Sequence, residues 1–253
     1  MIRAVVINRC FEVTVGNRIE YKQDGITNEG QVIDIKIEEN QYIFTVVSKD
    51  GKIQIKASDI VTVGLLYDVS NDLARTELNH KLRRDGTTYF DHARDVSYIS
   101  GNIGYDIQYC DDRLVTVEDR LYCIAHLHDL LEDTDWTEQD LREFLKSCVV
   151  EDGDQDVDFV VDNVVALSCF GETKEDRHND AIIKLTGCSI ETCVVKLADI
   201  SSNFETVELL SDPMKYVAES IEKIEAMDVQ RFNNEALNDI TNEILNELKS
   251  FKV

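Results

Sequence analysis

The stretch AHLHDLLEDT, residues 125–134, places two histidines and three carboxylates within ten positions. Imidazole and carboxylate together suit a divalent first-row metal that keeps open positions for water. His128 and Asp129 are adjacent, and Glu132 follows them by four and three residues. On a helix that spacing puts Glu132 on their side. The neighbours Ile124, Leu127, Leu130 and Leu131 read as core. An unpaired carboxylate buried among them would be costly, so the acidic groups should be paired or metal-bound. A metal needs more ligands than this stretch holds, and the others must come from elsewhere in the chain. His126 reads as a satisfied core histidine, and His80 and His178 as surface residues.

The elements that must position these groups fall into two regions. The chain has 253 residues, 43% of them hydrophobic, enough for one large domain or a small one and a medium one. No apolar run reaches the ~20 residues that span a bilayer, and the first residues show no cleavable signal pattern. Seven cysteines without a CxxC pair read as reduced thiols, which suits a cytoplasmic protein. The net charge of −24 is unevenly placed: residues 1–66 carry 8 Lys/Arg and 9 Asp/Glu, and the rest carries 18 and 41. Such a surface disfavours nucleic acid and anionic membranes as partners. A phosphorylated substrate would need a metal or a local basic patch to reverse the field.

Residues 1–66 read as strands. RIEYKQ, QVIDIKIEE, YIFTVVS, KIQIK and VTVGL are β-branched and partly alternating, with Gly, Asn or Asp at the joins. KDGK (49–52) is a hairpin signal. Five short strands suggest a small SH3-like barrel, a candidate surface for a protein partner or for self-association. From about Asp68 the period becomes helical. SNDLARTELNHKLRR has a Ser/Asn start and apolar positions at Leu73, Leu78 and Leu82. Further helical patterns lie near 91–101, 117–132, 137–147, 155–169, 174–186 and 189–200. SDP (211–213) marks a helix start, and a last helical stretch runs to about Phe251 with a break near RFNN. The acidic stretch DGDQDVD (152–158) lacks the Gly and closing Glu at the spacing a calcium loop requires and reads as a plain acidic loop. The expected fold class is therefore α+β in two domains, a β barrel over 1–66 and an all-α bundle over 67–253.

Three segments of the bundle carry a family resemblance. HDLLEDT (128–134) resembles the HDxxEDT signature of the HD-domain hydrolases of the RelA/SpoT and metazoan SpoT homologue group. RRDGTTYFDH (83–92) resembles that family's basic-basic-x-G-x-x-Y-x-x-H segment, and VKLADISSN (195–203) its KLAD-x-x-x-N segment. The order is the family's, and the match spans roughly residues 72–210. The resemblance implies an HD-domain bundle that hydrolyses the 3′-pyrophosphate of guanosine tetra- or pentaphosphate with a bound metal, typically manganese. It implies His92, His128, Asp129 and Asp199 as metal ligands, and Glu132 and Asp133 as the carboxylates that hold and activate water. Arg83 and Arg84 would face base and phosphate, Tyr89 would shape the pocket, Asn203 would bond the sugar, and Lys174 would meet phosphate. Two features depart from the pattern. Ile200 stands where the family usually has a basic residue, and the stretch between His92 and His128 carries extra length around GYDIQYCDDRLVTVED. Ile200 keeps a second substrate class open, such as NADPH or a cyclic or modified nucleotide. A protein that binds a nucleotide without turnover is a third possibility.

Overall fold

The computed structural model describes residues 3–6, 11–14, 18–23, 26–38, 41–49, 51–56, 60–64, 66–110, 117–148 and 154–252. The chain divides into two compact units: Met1–Val69 with Arg142–Val157, and Ser70–Leu141 with Asp158–Val253.

The first unit holds the strands. β1 (Arg3–Val6) and β2 (Phe11–Thr14) form an antiparallel pair that the sequence pattern did not single out. β3 (Arg18–Gln23), β4 (Ile26–Glu38), β5 (Gln41–Ser48), β6 (Gly51–Lys56) and β7 (Ile60–Gly64) form one antiparallel sheet in the order β6-β5-β4-β3-β7. Alternation buries one face: Phe44 and Val46 of β5 are buried, with Ile55 opposite Phe44 and Val32 opposite Val46. KDGK does make the hairpin, pairing Ser48 with Gly51, whose φ of +115° needs a residue without a Cβ. The expected SH3-like barrel is not shown. Both edges of β3 are used, but no pairing joins β6 to β7 among the described residues. Alternation and turn residues specify strands and hairpins; closure depends on tilt and stagger, which composition does not encode.

The second unit is helical. The described helices include α1 (Leu66–Leu78), α2 (Tyr89–Cys110), α3 (Val117–Leu127), α4 (Leu130–Asp133), α5 (Glu138–Cys148), α6 (Asp154–Leu167), α7 (Lys174–Leu185), α8 (Ile190–Phe204), α9 (Pro213–Met227) and α10 (Glu235–Ser250), of which residues 66–69 of α1, 142–148 of α5 and 154–157 of α6 fall in the first unit. The break expected near RFNN is a 3-10 turn over Val229–Phe232. Asp212 caps α9 with Pro213 in its first turn, as SDP predicts. α1 stops at Leu78, so Leu82 is not a helical core position and is 69% exposed. Of the stretch read as a longer family connection, residues 111–116 lie outside the described residues. So do residues 152 and 153 of DGDQDVD, whose remainder lies in α6.

Helix α8 is the centre of this unit. It is buried almost all round, from Glu191 to Ser202, with α2, α3 and α9 packed against it. α2 buries Ala93, Val96, Ser100, Ile103 and Ile107, a helical stripe. Gly101 and Gly104 interrupt that helix for a packing reason. A Cβ at Gly101 would lie 2.5 Å from the Tyr122 hydroxyl, and one at Gly104 would lie 2.6 Å from Leu121. Each glycine costs about 1 kcal/mol of helix propensity. The return is the close approach of α3 to α2, which brings together the ends that carry His128 and His92.

Candidate metal centre and its cavity

The segment before α2 is built as a tight loop. Arg83 N donates to Thr87 O at 2.8 Å, and Gly86 sits at φ +88°. Asp85 accepts from the Thr87 amide and hydroxyl at 2.9 and 2.7 Å. Thr88 then caps α2: its hydroxyl accepts from Asp91 N at 3.0 Å, and Asp91 accepts in return from Thr88 N at 3.1 Å. This loop presents Arg83 and fixes the start of α2, so His92 points inward from its first turn, 2% exposed.

The second histidine departs from the sequence expectation. A single helix through 117–132 would place Asp129 about 100° around from His128. Instead α3 ends at Leu127, and His128 and Asp129 form a turn before α4. That break lets two adjacent side chains converge. The His128 Nδ1–H donates to Ala125 O at 2.7 Å, which leaves Nε2 as the lone-pair nitrogen. Nε2 is buried and makes no hydrogen bond. It lies 3.2 Å from Asp129 Oδ1 and 3.7 Å from Asp199 Oδ1, close to both but without hydrogen-bond geometry to either.

Asp199 on α8 completes the group. His92 Nε2 lies 3.1 Å from Asp199 Oδ1 and 3.8 Å from Asp129 Oδ2. One donor atom each from His92, His128 and Asp199 falls within 4.8 Å of the others. Ligands to one ion at bonds of ~2.1 Å stand roughly 3 to 4 Å apart, so the spacing fits a shared cation. The groups behind the donors are also placed. Ser202 Oγ lies 3.1 Å from His92 Nδ1, Lys196 Nζ lies 2.8 Å from Asp199 Oδ2, and Asn203 Nδ2 donates to Asp199 Oδ1 at 2.6 Å. An orphaned nitrogen, a His128 ring held by a backbone carbonyl and carboxylate oxygens aimed at one point fit a divalent ion.

The electrostatics agree. Asp199 is desolvated, yet the Lys196 charge, the nearby His128 and the His92 hydrogen bond hold its carboxyl well below the usual range. Asp129 is also lowered, with His128 and then His92 outweighing desolvation. His128 is raised, because Asp129 and Asp199 outweigh desolvation. Glu132 is raised by desolvation and the Asp129 charge, opposed by Lys196. Asp133 is pushed up to about 6 by desolvation, then by Asp129 and Glu132.

These groups open onto a cavity of about 440 Å³. Of the residues expected to form the site, Arg83, Tyr89, Lys174 and Asn203 line it together with His92, His128, Asp129, Glu132 and Asp199. Two do not. Asp133 lines an adjoining groove with Glu77, His80 and Lys81, and Arg84 is exposed, adding its charge near Tyr89 without lining the cavity. Glu132 borders both spaces and accepts the Cys169 amide at 2.6 Å. Both polar atoms of the Asn203 amide are in use: besides its bond to Asp199, its Oδ1 accepts from Arg83 Nη2.

Sequence reasoning missed several lining residues. Arg177 and Lys223 add positive charge, and Lys196 does so from within the KLAD segment itself. Tyr216 reaches the backbone oxygen of Ile200 at 3.4 Å. His178 lines the cavity too, bonded to Glu222 at 2.8 Å, so it is not simply a surface residue. His126 does not line it; burial lowers its pKa to about 4 against a hydrogen bond with the Tyr122 backbone. The missed signal was helical spacing: Arg177 is three residues past Lys174, and Lys223 seven past Tyr216.

No family model and no curated protein matches the sequence. Solved structures do match. One is that of a metazoan SpoT orthologue that hydrolyses ppGpp and plays a role in starvation responses; it is 19% identical, with a TM-score of 0.54, covering 72% of this chain and 94% of that one. The chain shares that hydrolase's HD-type fold. With 94% of the solved chain covered, the likeness extends over nearly a whole hydrolase domain. No helix among the described residues is long and apolar enough to cross a membrane.

Proposed function

We propose that the protein is a metal-dependent HD-type phosphohydrolase that removes the 3′-pyrophosphate of guanosine tetra- or pentaphosphate. The observation that carries this reading is the convergence of His92 Nε2, His128 Nε2 and Asp199 Oδ1 on one point at the wall of a cation-lined cavity. His92, His128, Asp129 and Asp199 would hold the ion, with manganese the expected metal. When bound, such an ion supplies Lewis acidity to a phosphoryl oxygen and acidity to a water molecule.

The chain's own groups do the rest. Arg83, Lys174, Arg177 and Lys223 offset the acidity of the protein and grip the phosphates. Water attacks the phosphorus of the 3′-pyrophosphate, the bond from that phosphorus to the ribose 3′-oxygen breaks, and the 3′-oxygen takes up a proton. Products are GDP or GTP and pyrophosphate. Glu132, at the cavity wall with a raised pKa, accepts the proton of the attacking water. Asp133, one residue along, sets its charge through the shared field and connects to the outer groove. Arg84 would approach the base from the exposed side, Tyr89 would shape the pocket, and Asn203 would orient Arg83 and bond the sugar.

Residues 67–253 would be the hydrolase domain. The strands of 1–66 would serve a protein partner or self-association, as an SH3-like barrel if their edges close, and the cytoplasm is the compartment this reading expects. A second reading is favoured by Ile200. It is 2% exposed on the cavity wall and offers a substrate only hydrocarbon there. A nucleotide with fewer charges at that position, such as NADPH, suits that surface. The test is pyrophosphate release from guanosine tetraphosphate with manganese, against Asp129→Ala. Release by the wild type alone supports the first reading. Metal binding without release overturns it and moves the assay to NADPH, and nucleotide binding with no turnover of either identifies a sequestering protein.

A further inference from the structure

A second chemical group sits at the base of α8, away from the metal donors. The α7–α8 connection turns at Gly187, whose φ of +82° folds the chain back, and Ser189 caps α8 by accepting from Thr192 N. The turn brings the Cys188 and Cys193 sulfurs to 3.4 Å. Cys193 is buried in the first turns of α8, whereas Cys188 is partly exposed. Arg231, from the 3-10 turn after α9, donates to Cys188 O and places the same nitrogen 3.8 Å from Cys188 Sγ.

We propose that Cys188 and Cys193 form a reversible dithiol–disulfide site, a redox modification site between α7 and α8. A disulfide needs the sulfurs to close to about 2.05 Å, a shift that small rotations of the two side chains can supply from 3.4 Å. The two thiols are unequal. The Cys193 hydrogen bond and the Arg231 guanidinium lower the Cys188 thiol against desolvation, while the Cys188 hydrogen bond and burial raise Cys193. Cys188 is thus the attacking sulfur and Cys193 the resolving one. With hydrogen peroxide as oxidant, the Cys188 thiolate attacks the peroxide. A sulfur–oxygen bond forms, the oxygen–oxygen bond breaks and hydroxide leaves. The Cys193 sulfur then attacks the Cys188 sulfenic acid; the sulfur–sulfur bond forms, and its thiol proton leaves with the hydroxyl as water. The two sulfurs lose two electrons, and the peroxide gains them. A small thiol reverses the reaction by exchange.

Glu191 lies between the two cysteines, and Lys184 and Lys196 flank them. Native full-length protein is treated with hydrogen peroxide, blocked with a maleimide and cut at lysine and glutamate. The expected result is that the peptides 185–191 and 192–196 stay joined, lacking two hydrogens and both maleimide labels, and separate on reduction. Cys188→Ser should abolish the joined peptide, and Cys193→Ser should leave Cys188 as a sulfenic acid that a dione probe captures. Met214, 50% exposed, reports that oxidant reached the protein. Oxidised Met214 with both cysteines labelled and the peptides separate overturns the proposal. Oxidation of Cys188 to a sulfinic acid without a joined peptide also overturns it. Neither readout depends on what the cavity hydrolyses.

Discussion

The two walls of the cavity are built differently. The wall with the candidate metal donors is buried, and its side chains are held from behind: Ser202 backs His92, Ala125 O backs His128, and Lys196 and Asn203 back Asp199. The cationic wall includes Lys174 and Arg177, which are exposed and stand on one face of α7. Fixed groups set where an ion sits to within fractions of an ångström. Long, solvated cations give attraction with little geometry, and salt screens them. One wall should therefore govern metal affinity and kcat, and the other KM.

The strongest way to break this contrast is to remove Asp199. Asp199→Ala takes away a metal donor and leaves Lys196 unpaired in a mostly buried site. Stability should fall by about 3 kcal/mol, read by denaturant titration, and pyrophosphate release should be lost. If the variant kept full metal binding, the buried wall would not be the metal wall. Next in size is Ser202→Ala, which removes the group behind His92 Nδ1. Metal affinity should drop about 10- to 100-fold with the fold intact, measured by metal titration of the apoprotein.

Arg177→Ala tests the other wall. It should raise KM about 10-fold, roughly 1.4 kcal/mol, leave kcat and metal affinity in place, and make KM less sensitive to salt. A fall in kcat with an unchanged KM would reverse the assignment. The smallest effect concerns Asp133, which takes no direct part in either wall. Its folded pKa of about 6 lies above the usual aspartate value of 3.8, so between the two the folded state holds a proton that the unfolded state has released. Stability from this group is present at low pH and declines as pH rises from about 3.8 through 6. Asp133→Asn should flatten that slope in melting temperature against pH; an unchanged slope would show that the groove leaves the group water-exposed.

The helices were legible because apolar residues recur at helical spacing along α2, α8 and α9, and because caps such as Asp212 announce themselves. The candidate donors His92, His128 and Asp199, which the fold brings together, could be named from the sequence because the resemblance rests on their own side chains. Arg177, Lys223, Tyr216 and Ser202 were not, since each becomes a site residue only when α7, α8 and α9 face one another. The break between His128 and Asp129 was hidden for a related reason. Flanking leucines give an unbroken helical period, and only the tertiary contacts show that the chain turns there. Asp133, adjacent to Glu132 in sequence, lines the neighbouring groove while Glu132 borders both spaces, a difference that only the course of α4 reveals. The sheet order was beyond reach of alternation, which fixes faces and not neighbours.

One side chain sits across both walls. The Asn203 amide gives its hydrogen to Asp199 and takes one from Arg83. Whatever binds at Asp199 changes how firmly that amide is turned, and so how Arg83 is aimed. Binding free energies linked in this way are reciprocal: an ion that strengthens the hold on a nucleotide by some factor must itself be held more tightly, by the same factor, once the nucleotide arrives.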